Sequence, residues 1–156
     1  MPDFRCVAIG TAVADRFRST GLDDRGNAVR RLSAGAAGSP CRHCLRLADA
    51  GELILLGSYD LPGPSGVYWT PSPIFLHAEP CPRFEAANTI APIIRPSLVS
   101  VRAYDAEDLC LYDLGQVVDS AAVEAPLFRA LADGRTGFVN VHTARPGCLL
   151  CQVERG

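Results

Sequence analysis

Five of the seven cysteines fall into three short signatures, and these are the residues whose types and spacing could do chemistry. Cys41-Arg42-His43-Cys44 is a CxxC, His77-Ala78-Glu79-Pro80-Cys81 an HxxxC, and Cys148-Leu149-Leu150-Cys151 a second CxxC. Thiols paired two residues apart on a turn offer two sulfurs to one metal ion, or two sulfurs to each other. Zinc is the ion expected, and its candidate ligands are Cys41, Cys44, His77, Cys81, Cys148 and Cys151. Two sets of four are compatible with the spacing. In one, the CxxC pairs meet although Cys44 and Cys148 lie 104 positions apart. In the other, Cys41 and Cys44 join His77 and Cys81, the latter held in a stiff turn between Pro80 and Pro82. The residues alone leave both sets open, and His77 reads equally as a strand-end histidine bonded to backbone.

Two other chemistries compete. Arg42 and His43 stand between the thiols of the first pair, where cationic neighbours would favour a Cys41 thiolate with His43 as its partner or base. That pattern looks like the active dithiol of thioredoxin-type oxidoreductases, but no βαβ unit leads into it. Anion capture is the third chemistry. From Asp15 to Arg46 there are seven arginines and three aspartates, a local charge of +4 in a chain of net charge −2. Arg30, Arg31, Arg42 and Arg46 form the candidate patch for a small anionic ligand or a protein partner, and a solvated loop is the plainer reading of the same charges. Arg102, on the polar face of an alternating strand, is a separate candidate clamp for a carboxylate or phosphate. Cys6 and Cys110 lie in apolar strand patterns and read as small buried hydrophobes.

Composition excludes several classes. All 15 basic residues are arginine, so Schiff-base chemistry and the lysine of a phosphate-binding loop are absent. The single methionine is Met1, which leaves no thioether ligand for haem or copper. There is no G-x-S-x-G, no H-E-x-x-H and no glycine-rich nucleotide loop. A net charge of −2 argues against nucleic acid as a partner. The N-terminal residues lack the basic start and long apolar core of a signal peptide, and no stretch is long enough to span a membrane. The expected compartment is the cytoplasm, where thiols stay reduced.

The elements that must position these residues are short. Phe4–Ile9, Glu52–Tyr59, Ile74–His77, Leu98–Asp105, Gly137–His142 and Leu149–Val153 read as strands, with Leu109–Tyr112 as a hairpin partner of Leu98–Asp105. Ser120–Asp133 is the main helix, starting at Pro126 in the alternative reading. Short helices are expected at Cys44–Ala50 and at Ala86–Ile94, the latter stopped before Pro96. Residues 11–40 read as an irregular arginine-rich segment. The fold class expected is α+β, a mostly antiparallel sheet with one main helix and two short ones, in a single domain over residues 1–156.

Pro40-Cys41-Arg42-His43-Cys44-Leu45, Ser72-Pro73-Ile74-Phe75-Leu76-His77, Val101-Arg102-Ala103-Tyr104-Asp105 and Gly147-Cys148 resemble, in kind and order, a bacterial family known only as domain of unknown function 1203. The similarity spans nearly all of the chain from Pro40 onward. It implies a small stand-alone domain of about this length and no established activity.

Overall fold

Strict alternation builds the larger sheet. In Leu98–Tyr104 (β7), Val99, Val101 and Ala103 are fully buried on one face, while Ser100, Arg102 and Tyr104 take the other. Phe138–Thr143 (β9) repeats the pattern with Val139 and Val141 inward. With Phe4–Val7 (β1), Gln116–Asp119 (β8) and Leu149–Arg155 (β10) they form a five-stranded sheet in the order β1-β10-β9-β7-β8, every pairing antiparallel. The helix Glu124–Ala132 (α2) lays Leu127, Ala130 and Leu131 on its apolar face. Pro126 lies in the first turn of α2, where its missing N–H costs nothing. A separate 3-10 turn, Ser120–Ala122, precedes the helix, and the Asp119 carboxylate caps it by accepting from the Ala121 N–H at 2.9 Å. The computed structural model describes residues 1–95 and 97–156.

A second, three-stranded sheet consists of Arg30–Ser33 (β2), Leu53–Asp60 (β5) and Pro71–His77 (β6), in the order β2-β5-β6 and again antiparallel. The helix Thr11–Thr20 (α1) packs on it through Ala14 and Phe17. Gly57, in the middle of β5, permits this approach: a Cβ there would stand 2.9 Å from Asp23 Cβ and 3.1 Å from Phe17 Cε2. The chain leaves α1 through Asp23, which is buried and accepts the N–H groups of Arg25, Asn27 and Ser58, each at 2.9 Å. Burial alone would raise the pKa of Asp23, but these donors outweigh it and hold the carboxyl below the usual range. Two-residue strands, Ser39–Pro40 (β3) and Leu47–Ala48 (β4), make a small hairpin between the sheets.

Four sequence expectations are corrected. Residues 11–40 are not irregular throughout, since they hold the ten-residue α1 and β2. Only Ala14 and Phe17 of α1 are buried, so its apolar stripe is too narrow to stand out among the arginines. Cys44–Ala50 forms no helix, because the chain reverses at Leu45, which has φ +52°, and enters β4. Ala86–Ile94 is likewise not a continuous helix. Asn88 takes a left-handed φ of +52° with its Oδ1 accepting the Phe4 N–H at 2.7 Å, and only Pro92–Ile94 winds into a 3-10 turn. Pro96, the expected stop, lies outside the described residues. Finally, Leu109–Tyr112 touches β7 through a single bridge, Tyr104 with Cys110, and the strand paired with β7 is β8. No helix among the described residues is long and apolar enough to cross a membrane.

Two measurements check this packing. Gly57→Ala is expected to lower unfolding free energy by about 1–3 kcal/mol through overpacking at α1, while Gly35→Ala, with open space around it, changes it by less than about 0.5 kcal/mol. Urea titration of both variants reads the difference. The contribution of Asp23 exists above the unfolded carboxyl pKa of about 3.9 and is lost as pH falls through its lower folded value. Asp23→Ala should therefore be destabilising at pH 7, with the gap to wild type narrowing in strong acid.

Candidate metal centre

The first CxxC is a tight reversal between β3 and β4. The Cys41 N–H donates to the Arg46 carbonyl and the Leu45 N–H to the Cys41 carbonyl, both at 2.9 Å. These bonds curl Cys41–Cys44 so that both sulfurs face β6. The loop docks there directly, with the Arg42 N–H on the Phe75 carbonyl at 3.0 Å. Two residues further along β6 the His77 N–H donates to Cys41 Sγ at 3.4 Å. The chain then turns through Pro80 and brings Cys81 back over the loop.

Four donor atoms converge as a result. Those of Cys41, Cys44, His77 and Cys81 all lie within 4.8 Å of one another. Cys41 Sγ is 3.8 Å from Cys81 Sγ, and Cys44 Sγ is 3.4 Å from His77 Nδ1. Cys41 and Cys44 are buried, His77 and Cys81 half-buried. This group of three cysteines and one histidine could hold a metal ion.

The surroundings favour charged, oriented ligands. Glu52 Oε2 lies 3.3 Å from His77 Nε2, on the side of the ring away from the cluster, and is itself fixed by the Asp49 N–H at 2.6 Å. Arg18, from α1, donates to Cys81 Sγ at 3.4 Å and to the His77 carbonyl at 3.1 Å. His43 Nδ1 stands 3.3 Å from Cys81 Sγ, with Nε2 on the Thr11 hydroxyl at 2.9 Å. The Cys41 thiol is held down to about 4, first by the Cys44 thiol and then by the N–H groups of Cys44, His77 and His43, which outweigh its burial.

The structure thus assembles four of the six predicted metal residues and leaves out two. Cys148 is at the β9–β10 turn, where its N–H donates to the Thr143 hydroxyl at 3.0 Å. Cys151 is buried in the main core together with Cys6 of β1, both as free thiols. The second CxxC runs into an extended strand rather than a tight reversal, so its sulfurs do not converge. Arg42 does not join a surface patch with Arg30, Arg31 and Arg46. It is 2% exposed and donates to the Leu149 and Pro40 carbonyls at 2.7 and 2.6 Å. Burial lowers its pKa to about 10, against the opposing pull of nearby thiols. Cys6 is buried as expected, whereas Cys110 is only half-buried. Arg18, Glu52 and Thr11 escaped the sequence reading. The i,i+4,i+7 run Thr11, Asp15, Arg18 is the one signal that placed Thr11 and Arg18 on a shared helix face.

Arg42 is the tie between the cysteine loop and β10. Arg42→Ala takes the donor from the buried Leu149 carbonyl, at an expected cost of about 1–3 kcal/mol, and from the half-buried Pro40 carbonyl, at a smaller one. Arg42→Lys, with one ammonium in place of a fork, should recover only part of the loss. Chemical denaturation of the three proteins checks the ranking.

The comparisons agree with the motif resemblance. A family model described as Protein of unknown function (DUF1203) matches residues 38–155, a span that includes all four clustered residues and excludes α1. No curated protein and no solved structure matches the chain. Covering well over half of the sequence, the match establishes that the chain belongs to this family of proteins of unknown function.

Proposed function

We propose that the protein binds one zinc ion through Cys41, Cys44, His77 and Cys81, and that this zinc is a structural staple. The observation that carries the reading is the size of the donor cluster. A zinc tetrahedron with bonds of about 2.3 Å to sulfur and about 2.0–2.1 Å to nitrogen has sulfur–sulfur edges near 3.8 Å and sulfur–nitrogen edges near 3.6 Å. Two of the six separations, Cys41–Cys81 and Cys44–His77, are 3.8 Å and 3.4 Å, and all six lie within 4.8 Å. A closed set of four protein ligands suits a structural role, because a catalytic zinc keeps a position open. Three thiolates around a divalent ion leave one net negative charge, and the Arg18 guanidinium beside Cys81 supplies the balancing positive one. Glu52 on the far nitrogen of His77 is the carboxylate partner that fixes a ligand histidine in one tautomer.

A second reading, thiol-dependent chemistry in the metal-free protein, is favoured by one observation. His43 bridges the Thr11 hydroxyl and Cys81 Sγ in the manner of a nucleophile, a base and an orienting group. This moves the reactive thiol from Cys41, which is 0% exposed, to the half-buried Cys81. Iodoacetamide labelling after chelation, read by mass spectrometry, tests it. Selective modification of Cys81 that is lost in His43→Ala is the expected pattern, and equal labelling of the half-buried Cys81, Cys110 and Cys148 contradicts it.

Elemental analysis of protein purified without added metal is expected to give close to one zinc per chain. Less than about a tenth of an equivalent of any transition metal overturns the staple. Cys41→Ser and Cys44→Ser should each release the ion and destabilise the fold, since binding energy at such a site is folding energy. Cys6→Ala and Cys110→Ala should leave occupancy unchanged. Glu52→Gln is expected to keep the stoichiometry but weaken affinity about 10–100-fold in chelator competition.

A further inference from the structure

The polar face of β7 opens into a cleft that the metal centre does not explain. The cleft has a volume of about 450 Å³, within the range of small-molecule sites, and lies between β7, β8 and the turn at Gly66–Tyr68. Arg102 and Ser100 form its floor, and Tyr68, Tyr104 and Tyr112 line its wall.

Arg30, Arg31, Arg46, Arg129 and Arg145 are exposed to solvent, whereas Arg102 is half-buried and still without an anion among the described residues. Arg16, Arg18, Arg25, Arg95 and Arg135 each pair with a carboxylate, and Arg42, Arg83 and Arg155 each donate to two or more carbonyls. Among the described residues, Arg102 has no carboxylate within salt-bridge distance, and its guanidinium donates through Nε to Ser100 Oγ at 3.2 Å. The nearby acids are engaged elsewhere: Asp108 with Ser65 and Asp113 with Arg135. Across the β7–β9 ladder, His142 faces Ser100. Its Nδ1 donates to the Gly147 carbonyl at 2.9 Å, so Nε2 keeps its lone pair and finds no partner. Burial and the positive charge of Arg102 push His142 down to about 4, so this ring is neutral at ordinary pH and adds no second positive charge. A half-buried guanidinium without an anion is a receptor for one, and its fork matches a carboxylate.

The wall sets the rest of the ligand. The Tyr68 ring stands edge-on to Tyr104 and Tyr112, with centroids 6.2 and 6.1 Å away and interplanar angles of 61° and 69°. The Tyr68 and Tyr112 hydroxyls bond to each other at 2.5 Å. Tyr104 is buried and stacked on Phe138, with centroids 5.2 Å apart, so the aromatic surface offered to a further flat ring is that of Tyr68 and the exposed Tyr112. We propose that this cleft binds a small aromatic carboxylate, with the carboxylate on Arg102 and the ring against Tyr68 and Tyr112. The site is independent of the zinc reading, since none of its residues belongs to the metal cluster.

Calorimetric titration of the full chain with benzoate, benzamide and inorganic phosphate tests it. Benzoate is expected to bind with a Kd below about 10 mM, and benzamide at least about tenfold more weakly. Arg102→Gln should abolish benzoate binding, and Arg102→Lys should restore part of it. Tyr112 is 74% exposed, so Tyr112→Ala leaves the fold intact and should weaken benzoate severalfold. No benzoate binding by the wild type overturns the proposal, as does equal binding of benzamide or an unchanged Arg102→Gln. Phosphate binding as tight as benzoate, with no effect of Tyr112→Ala, would show an anion patch in place of an aromatic site.

Discussion

Three sulfurs and an imidazole nitrogen gathered within 4.8 Å of one another form a constraint that the rest of the molecule serves. Such a group is poorly satisfied on its own. Thiols are weak hydrogen-bond partners, and a thiolate in a packed interior needs a positive charge. A divalent ion removes both difficulties at once, turning mutual repulsion into four strong bonds. The N–H of His77 on Cys41 and the guanidinium of Arg18 on Cys81 are the secondary bonds expected around sulfur that carries negative charge.

Every unit of the fold reaches this point by its own route. β6 contributes His77 and receives the cysteine loop along its edge, and β5 beside it holds the register. α1 lies on the same sheet because Gly57 leaves space for Phe17, and the same approach delivers Thr11 and Arg18. The larger sheet is linked by Arg42, whose side chain crosses from the cysteine loop to the Leu149 carbonyl of β10. Two sheets with separate apolar clusters thus share one polar junction, and the proposed metal cross-link between residues 41 and 81 would close it. Closing loops of this length removes entropy from the unfolded chain, as a disulfide would, in a compartment-independent way.

How much was legible in the sequence follows from the range of each signal. The paired cysteines were visible because CxxC and HxxxC are local, and β7 and β9 because their alternation is clean over several residues. Which four residues meet was not legible. Cys41 to Cys81 and Cys41 to Cys151 are both long-range, and the choice depends on β6 docking beside the cysteine loop while β10 carries Cys151 to Cys6. α1 was missed because two buried residues among charges give almost no periodic signal. Leu109–Tyr112 and Gln116–Asp119 are equally short, so only the assembled sheet shows which one pairs with β7. Asn88 ended an otherwise helix-compatible stretch through a contact with Phe4, 84 positions away, which no local pattern encodes.

X-ray absorption at the zinc edge measures the identity and number of the ligating atoms directly on protein in solution. The account predicts a four-coordinate shell of three sulfurs at about 2.3 Å and one nitrogen at about 2.0–2.1 Å, with outer-shell scattering from one imidazole. A shell of four sulfurs, which would bring Cys148 or Cys151 into the site, contradicts it, as does a shell dominated by nitrogen and oxygen.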